Sequence, residues 1–200
     1  MGLKRLSLFL IVILNSVALQ DFLIAGITGE DPPEELLLYD FENPGRSQDW
    51  VIVNDGVMGG LSRGEFVNLG TGSAVFKGTV SLENNGGFSS VRTRPRPLGL
   101  DGFHGVVLRV RGDGKKYQVR IRTDNRFDGV AHQCSFATEK GEWNLIKVPF
   151  SDCRPVFRGR FLNDVGPVSP EEIRQLGILV SDKQAGGFRL EIDWIKAYRD

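Results

Sequence analysis

Apolar and polar residues alternate along most of the chain in short runs, and glycine, asparagine, aspartate and proline separate the runs. A period of two is typical of β-strands that bury one face, and the separating residues are typical of turns. The pattern therefore predicts an antiparallel all-β domain. The predicted strands lie at residues 36–41, 50–54, 63–69, 73–82, 87–93, 105–111, 117–123, 130–137, 143–149, 176–181 and 188–198.

Two neighbouring runs show which way their side chains point. Val106, Leu108 and Val110 occupy alternate positions of one strand and share one apolar face. In the next strand Arg120 and Arg122 lie opposite the apolar positions. We expect these two arginines to border solvent or a groove.

Two connections have recognisable signatures. Residues 169–176 begin with Ser and Pro and continue with two glutamates, which predicts the one short helix of an otherwise β chain. Residues 112–115 read Gly-Asp-Gly-Lys and predict a β-hairpin turn. Turn propensity accounts for this sequence better than an adhesion role for the overlapping Arg-Gly-Asp tripeptide at residues 111–113.

The N-terminal residues do not continue the alternation. Lys4 and Arg5 precede an apolar run at residues 6–14, and polar residues interrupt that run before it reaches the length of a good membrane span. We interpret residues 1–27 as a signal-like or anchor segment, which favours export to a periplasm, a lumen or the exterior. A mitochondrial location is the alternative. Residues 28–35 have the composition of a linker, and residues 36–200 form the predicted domain.

Composition narrows the class of protein. Two hundred residues with 40% hydrophobic content fit one domain with a sizeable core. The 25 glycines and 13 phenylalanines favour tight turns and an aromatic-filled sandwich or barrel. The 25 basic and 25 acidic residues cancel, so we expect no nucleic-acid partner.

Motifs for catalysis or cofactor binding are missing from the sequence. His104 and His132 lie outside any hydrolase or zinc-protease motif, and no dinucleotide-binding glycine motif precedes a helix. Cys134 and Cys153 are too few for a zinc site, and either a disulfide or two buried thiols fits their spacing. We therefore expect no catalytic residue, no cofactor and no metal, and we expect the three tryptophans to fill the core.

Three segments are candidates for binding a partner. The glycine-rich loop at residues 54–62 is either a strained connection or a contact surface with exposed amides and an exposed methionine. Residues 155–161 alternate aromatic residues with arginine, as protein-binding hot spots often do. The arginines at residues 92, 94 and 96 we interpret as a solvated strand edge. The candidate partner-binding residues are Asn54, Asp55, Met58, Gly59, Gly60, Phe157, Arg158 and Arg160.

Five blocks occur in an order and spacing that resemble one known family. They are Trp-Val-Ile-Val-Asn-Asp-Gly-Val-Met-Gly-Gly-Leu-Ser at 50–62, Gly-Gly-Phe-Ser-Ser-Val-Arg at 86–92, Arg-Val-Arg-Gly-Asp-Gly at 109–114, Gly-Glu-Trp at 141–143 and Phe-Arg-Leu-Glu-Ile-Asp-Trp-Ile at 188–195. The chain is similar, over roughly residues 38–199, to the complex I intermediate-associated protein 30 family.

The resemblance implies a galactose-binding-domain-like β-sandwich, or jelly roll. It also implies a non-enzymatic chaperone role in the assembly of respiratory complex I or another membrane complex, with complex subunits or assembly intermediates as protein partners. Known members work on the matrix side of mitochondria, which differs from the export-type N-terminus. An exported carbohydrate-binding module is the alternative function, because sandwiches of this kind often bind sugars.

Overall fold

The alternating runs form thirteen strands in a computed structural model that describes residues 34–42 and 49–199. The strands are β1 (Glu35–Asp40), β2 (Trp50–Asn54), β3 (Arg63–Asn68), β4 (Ala74–Val80), β5 (Ser89–Thr93), β6 (Gly105–Arg111), β7 (Lys116–Arg122), β8 (Ala131–Ala137), β9 (Trp143–Pro149), β10 (Arg154–Phe157), β11 (Arg160–Phe161), β12 (Gln175–Val180) and β13 (Gly186–Tyr198). The compact unit they build begins at Glu34.

The strands form two antiparallel sheets. The six-stranded sheet has the order β3-β4-β13-β6-β9, and β1 also pairs with β13. The seven-stranded sheet has the order β11-β10-β8-β7-β12-β5-β2, so β11 and β2 are its edge strands. All eleven predicted strands are present, and the predicted antiparallel β-sandwich is confirmed. The sequence pattern missed only the short pair β10 and β11.

The core lies between the inner faces of the two sheets. Phe76, Leu108 and Ile192 of the first sheet are fully buried, as are Ile121 and Ile178 of the second. Burying a side chain of this size contributes about 1.5–3 kcal/mol. Alternating positions within each strand therefore supply most of the stability.

The prediction that all three tryptophans fill the core is correct for one of them. Trp50 is buried and stacks on Phe66 with ring centroids 5.1 Å apart. Trp143 is only partly buried, and the guanidinium groups of Arg109 and Arg111 lie 4.5 and 4.9 Å from its ring centroid. Partly exposed Trp194 makes a similar contact with a lysine. The outer face of the six-stranded sheet therefore carries two tryptophans beneath cationic side chains.

The helix prediction for residues 169–176 is wrong in extent. Only Pro170–Glu172 is helical, as a single 3-10 turn, and Gln175 already begins β12. Every residue of β12 is buried, because the strand lies between β7 and β5. Pairing on both edges satisfies the backbone there, and this tertiary contact overrides the local helix signal.

The hairpin prediction for residues 112–115 is also wrong. The segment does carry a turn, but β6 belongs to the six-stranded sheet and β7 to the seven-stranded sheet, so the chain crosses between layers here. Asp113 stabilises the crossing, since its carboxylate accepts hydrogen bonds from the Tyr117 hydroxyl and the Arg189 amide. Turn-forming residues predict that the chain changes direction, but they do not show that the two strands on either side pair with each other.

The predicted leader at residues 1–27 and most of the predicted linker at 28–35 lie outside the described residues. These two assignments stay predictions. Among the described residues, no helix is long and apolar enough to cross a membrane.

Candidate functional site

The glycine-rich loop connects the edge strand β2 of one sheet to the edge strand β3 of the other. Immediately after Asn54 the chain makes one 3-10 turn, Asp55–Met58. Gly59 then takes a φ of 87°, a left-handed conformation that favours glycine. Gly60, the next residue, does not have a positive φ.

The carboxylate of Asp55 holds this loop in place. Asp55 is completely buried, and its carboxylate accepts four hydrogen bonds, two from Ser62 and one each from the amides of Gly87 and Phe88. Burial disfavours the charge, but the bonds from Ser62, Gly87 and Phe88 outweigh that cost and lower the pKa of Asp55 below its ordinary value. Asp55 therefore ties its own loop to the segment that precedes β5.

Glycines leave room for this carboxylate. A Cβ on Gly60 would overlap the carboxyl carbon of Asp55, and a Cβ on Gly86 would lie 2.6 Å from its Oδ2 atom. Asn54 faces a different partner, because its side-chain oxygen accepts a hydrogen bond from the Ser89 hydroxyl at 2.7 Å. Asn54, Asp55 and Gly60 therefore shape the loop.

The outer surface of the loop is apolar. Val57 is 70% exposed, Met58 60% and Leu61 51%. Leu82, 45% exposed, lies on the neighbouring loop, which contacts the first through the Asn84 side-chain amide and the Gly59 carbonyl at 3.3 Å. We call Val57, Met58, Leu61 and Leu82 the apolar loop patch.

The second predicted segment forms a short hairpin. Phe157 pairs with Arg160, and the two residues between them, Arg158 and Gly159, have φ values of 47° and 77°. Two consecutive positive φ values are typical of the tightest β-hairpin turns. The side chain of Arg158 reaches out of the turn to Asp128 at 2.8 Å, and both side chains are exposed. The hairpin is therefore a surface feature held by a weak exposed ion pair.

The structure does not bring the two predicted segments together. The loop follows β2 and the hairpin contains β11, which are opposite edges of the seven-stranded sheet. A single small contact surface cannot include both, so we treat the apolar loop patch as the candidate site.

A third feature differs from its prediction. Arg92, expected on a solvated edge, is 7% exposed because β2 lies outside β5 and makes β5 an interior strand. Arg94 and Arg96 are exposed, as expected. Arg92 instead approaches Arg120 and Arg122, which do border a groove as predicted. Sequence reasoning missed this convergence.

Other chemistry-bearing residues are engaged locally. A disulfide joins Cys134 to Cys153, whose Cα atoms lie 4.7 Å apart. The Nε2 atom of His132 lies 2.9 Å from the Gly166 carbonyl oxygen. In the described part of the chain, no three His, Cys, Asp or Glu side chains are grouped so that they could hold a metal ion.

Comparison with protein-family models gives one match over most of the chain. The model described as Complex I intermediate-associated protein 30 (CIA30) matches residues 39–192.

Curated relatives carry the same description. The protein named Complex I intermediate-associated protein 30, mitochondrial, from Mus musculus is 29% identical over 211 residues, covering 91% of this chain and 64% of the relative. The protein of that name from Drosophila melanogaster is 25% identical over 186 residues, covering 82% of this chain and 63% of the relative. The chain thus spans less than two thirds of the length of these relatives.

Similar solved structures include a carbohydrate-binding module and an agarase. A family 11 carbohydrate-binding module from Clostridium thermocellum has a TM-score of 0.64 at 16% identity, covering 84% of this chain and 98% of the module. An agarase has a TM-score of 0.56 at 11% identity, covering 84% of this chain and 25% of the enzyme. At such low identity these likenesses concern the fold alone.

Proposed function

Because this chain belongs to the complex I intermediate-associated protein 30 family, we propose that it is a non-enzymatic assembly factor that holds a protein of a membrane complex. The proposed partner is a subunit or an assembly intermediate of respiratory complex I. The mouse and fruit-fly relatives are named for association with a complex I intermediate and not for a reaction, which supports this proposal.

The observation that carries the proposal is the apolar loop patch on a fixed backbone. Exposed apolar side chains on adjacent loops are typical of protein-binding sites, and an exposed methionine adapts to irregular partner surfaces. Here the buried Asp55 carboxylate fixes the loop backbone in the unbound protein. Such preorganisation lowers the entropy cost of binding. The patch therefore has the properties that an assembly factor needs.

The experiment compares Met58→Ala with a matched control, Leu145→Ala. Leu145 is 67% exposed on β9, at the edge of the six-stranded sheet opposite β3. Its truncation therefore removes a similar apolar surface far from the loop. Each tagged variant is used to capture complex I subunits from detergent-solubilised membranes, with subunits quantified by mass spectrometry. We expect Met58→Ala to lower capture about fivefold or more, which corresponds to a loss of about 1 kcal/mol in binding free energy.

Stability is measured in parallel. Exposed side chains contribute little to folding, so both variants should remain within about 0.5 kcal/mol of the wild type. Equal capture by Met58→Ala and wild type would contradict the patch as the contact surface. Absence of complex I subunits from the wild-type capture would contradict the proposed partner.

Binding to a glycan is the competing outcome. The structures that share the fold include carbohydrate-binding modules, but the guanidinium groups of Arg109 and Arg111 lie against the ring of Trp143, where a stacked sugar would compete with them. A glycan array with the wild-type protein tests this directly, and specific retention on one glycan class would favour the carbohydrate-binding function over the assembly role.

The disulfide bears on the compartment. Disulfides persist in oxidising compartments and are rare in reducing ones. We therefore propose that the domain works in an oxidising compartment, reached through the predicted leader at residues 1–27. The named relatives are mitochondrial, which is the competing location.

Thiol trapping distinguishes the two locations. Cells are quenched in acid, and the protein is alkylated without reduction. We expect no label on Cys134 or Cys153 and activity from an export reporter fused after Asp200. Two labelled thiols with a silent reporter would instead favour a reducing compartment such as the mitochondrial matrix.

A further inference from the structure

Three arginine side chains converge on the outer face of the seven-stranded sheet, away from the apolar loop patch. Arg92 on β5 and Arg120 on β7 are both register partners of Gly177 on the strand between them. Arg122 lies two positions further along β7. Because Gly177 has no side chain, none lies between Arg92 and Arg120 at this position. We call the cleft lined by Arg92, Arg120 and Arg122 the arginine cleft.

Two of these arginines are held in place by neighbours. The Arg92 Nη1 atom donates a hydrogen bond to the Phe127 carbonyl at 2.9 Å, and its guanidinium lies 4.1 Å from the centroid of the Phe127 ring. The Arg120 Nη2 atom lies 3.5 Å from the Gln118 side-chain oxygen. Rigid guanidinium groups lose less conformational entropy when they bind a ligand.

The cleft arginines form no direct ion pair with a carboxylate of the described residues, although Asp124, Asp128 and Asp182 lie near enough to attract them. Arg120 and Arg122 each have a buried Nε atom without a hydrogen-bond partner, and neither forms an ion pair with any described residue. Nearby carboxylates are engaged elsewhere, since Asp124 pairs with Arg126 and Asp128 with Arg158. Asp182 accepts a hydrogen bond from Gln118.

Burial disfavours these charges, and attraction to the nearby aspartates offsets that cost only in part. Desolvation, followed by repulsion from Arg122, lowers the pKa of Arg92 to about 10 and that of Arg120 to about 10. Unpaired buried donors are costly, so their persistence at one place points to a missing ligand.

We propose that the arginine cleft binds a phosphate monoester. Guanidinium groups match phosphate oxygens with paired hydrogen bonds, and a monoester carries about −1.5 to −2 charges at neutral pH. The cleft has a volume of about 30 Å³, which is room for about two water molecules. That space is too small for a sugar ring, so only phosphate oxygens of the ligand fit into the cleft.

Two sources can present this group, namely soluble phosphate and the headgroup of phosphatidic acid. Isothermal titration of the full chain with inorganic phosphate tests the first source. Sedimentation with phosphatidylcholine vesicles containing phosphatidic acid tests the second. Vesicles with phosphatidylserine at matched charge are the control, because that lipid has a phosphodiester.

The variants Arg120→Gln and Arg122→Gln remove one charge each, and Arg63→Gln on β3 of the other sheet is the matched control. We expect the first two to weaken binding at least about tenfold, the loss of one charge-assisted hydrogen bond, and the control to bind as the wild type does. The melting temperatures of Arg120→Gln and Arg122→Gln without ligand should equal or exceed the wild-type value, because each substitution removes an unpaired buried charge.

A second variant keeps all three arginines. Leu179→Glu places a carboxylate at the lining of the cleft and should abolish phosphate binding by occupying the site internally. The proposal is supported if the wild type binds one of the two probes and these variants do not. The probe that binds then identifies the source of the phosphate group. The proposal is overturned if the wild type binds neither probe, or if the arginine variants and Leu179→Glu bind as tightly as the wild type.

Discussion

Replacing Asp55 by alanine tests whether this carboxylate fixes the loop on which the apolar patch lies. The substitution leaves the buried amide of Ser62 and the partly buried amides of Gly87 and Phe88 without their acceptor. Each unsatisfied donor costs roughly 1–3 kcal/mol. The costs of broken hydrogen bonds within one network do not add fully, and some of the freed amides can bind water instead. We therefore expect the free energy of unfolding to fall by about 3–4 kcal/mol.

Urea denaturation followed by tryptophan fluorescence measures this loss. Ser62→Ala is the graded comparison, because it removes the hydroxyl bond to Asp55 and keeps the amide bond. It should cost about 1–2 kcal/mol. A typical domain is stable by about 5–15 kcal/mol, so both variants should still fold. A loss below about 1 kcal/mol for Asp55→Ala would refute the role of the carboxylate as the anchor of the loop.

The pH dependence gives an independent check with a defined sign. Although burial alone would raise it, the hydrogen bonds from Ser62, Gly87 and Phe88 lower the folded-state pKa of Asp55 below its ordinary value of 3.8. The stabilisation from ionised Asp55 is therefore fully present above pH 3.8 and is lost as the pH falls through the lower folded-state pKa. The stability difference between wild type and Asp55→Asn should shrink over that acidic range. A difference independent of pH would contradict the assignment.

Further substitutions test packing at glycine and tryptophan positions, each by urea denaturation. Gly60→Ala should cost about 3 kcal/mol because its Cβ would overlap the Asp55 carboxyl group, whereas Gly59→Ala, with open space but positive φ, should cost about 1–2 kcal/mol. The reverse order would show that backbone strain outweighs the contact. Trp50→Ala should cost about 3–5 kcal/mol as a core truncation, and Trp143→Ala about 1 kcal/mol through lost cation–π contacts. Equal costs would contradict the placement of Trp143 on the outer face.

Strand positions were predictable because they depend on local alternation. Val106, Leu108 and Val110 occupy the core face of their strand, as their spacing indicates. Arg120 and Arg122 lie on the outer face of theirs. Exposure of Met58 followed from its place in a glycine-rich loop. In each case the determining information lies within a few residues of the chain.

Contacts between distant segments were not predictable in the same way. The sequence predicts Asp55 as a partner-binding residue, yet it is buried, and it binds the amides of Gly87 and Phe88 from a segment more than thirty residues away. Residues 169–176 have good local helix signals, but Gln175 and Leu176 belong to β12, which pairs with β7 on one side and β5 on the other. Local propensity decides such segments only when no tertiary pairing competes for the backbone.

The arginine cleft depends entirely on sheet order. Arg92 has the sequence context of a charged edge strand, and only the position of β2 outside β5 makes it interior. β12, from near the C-terminus, then brings Arg92 and Arg120 to either side of Gly177. Alternation within a strand assigns a residue to a face, but it carries no information about which strands are neighbours. In a sandwich with long connections between neighbours, charged residues on separate strands can therefore build a site that no single segment of the sequence indicates.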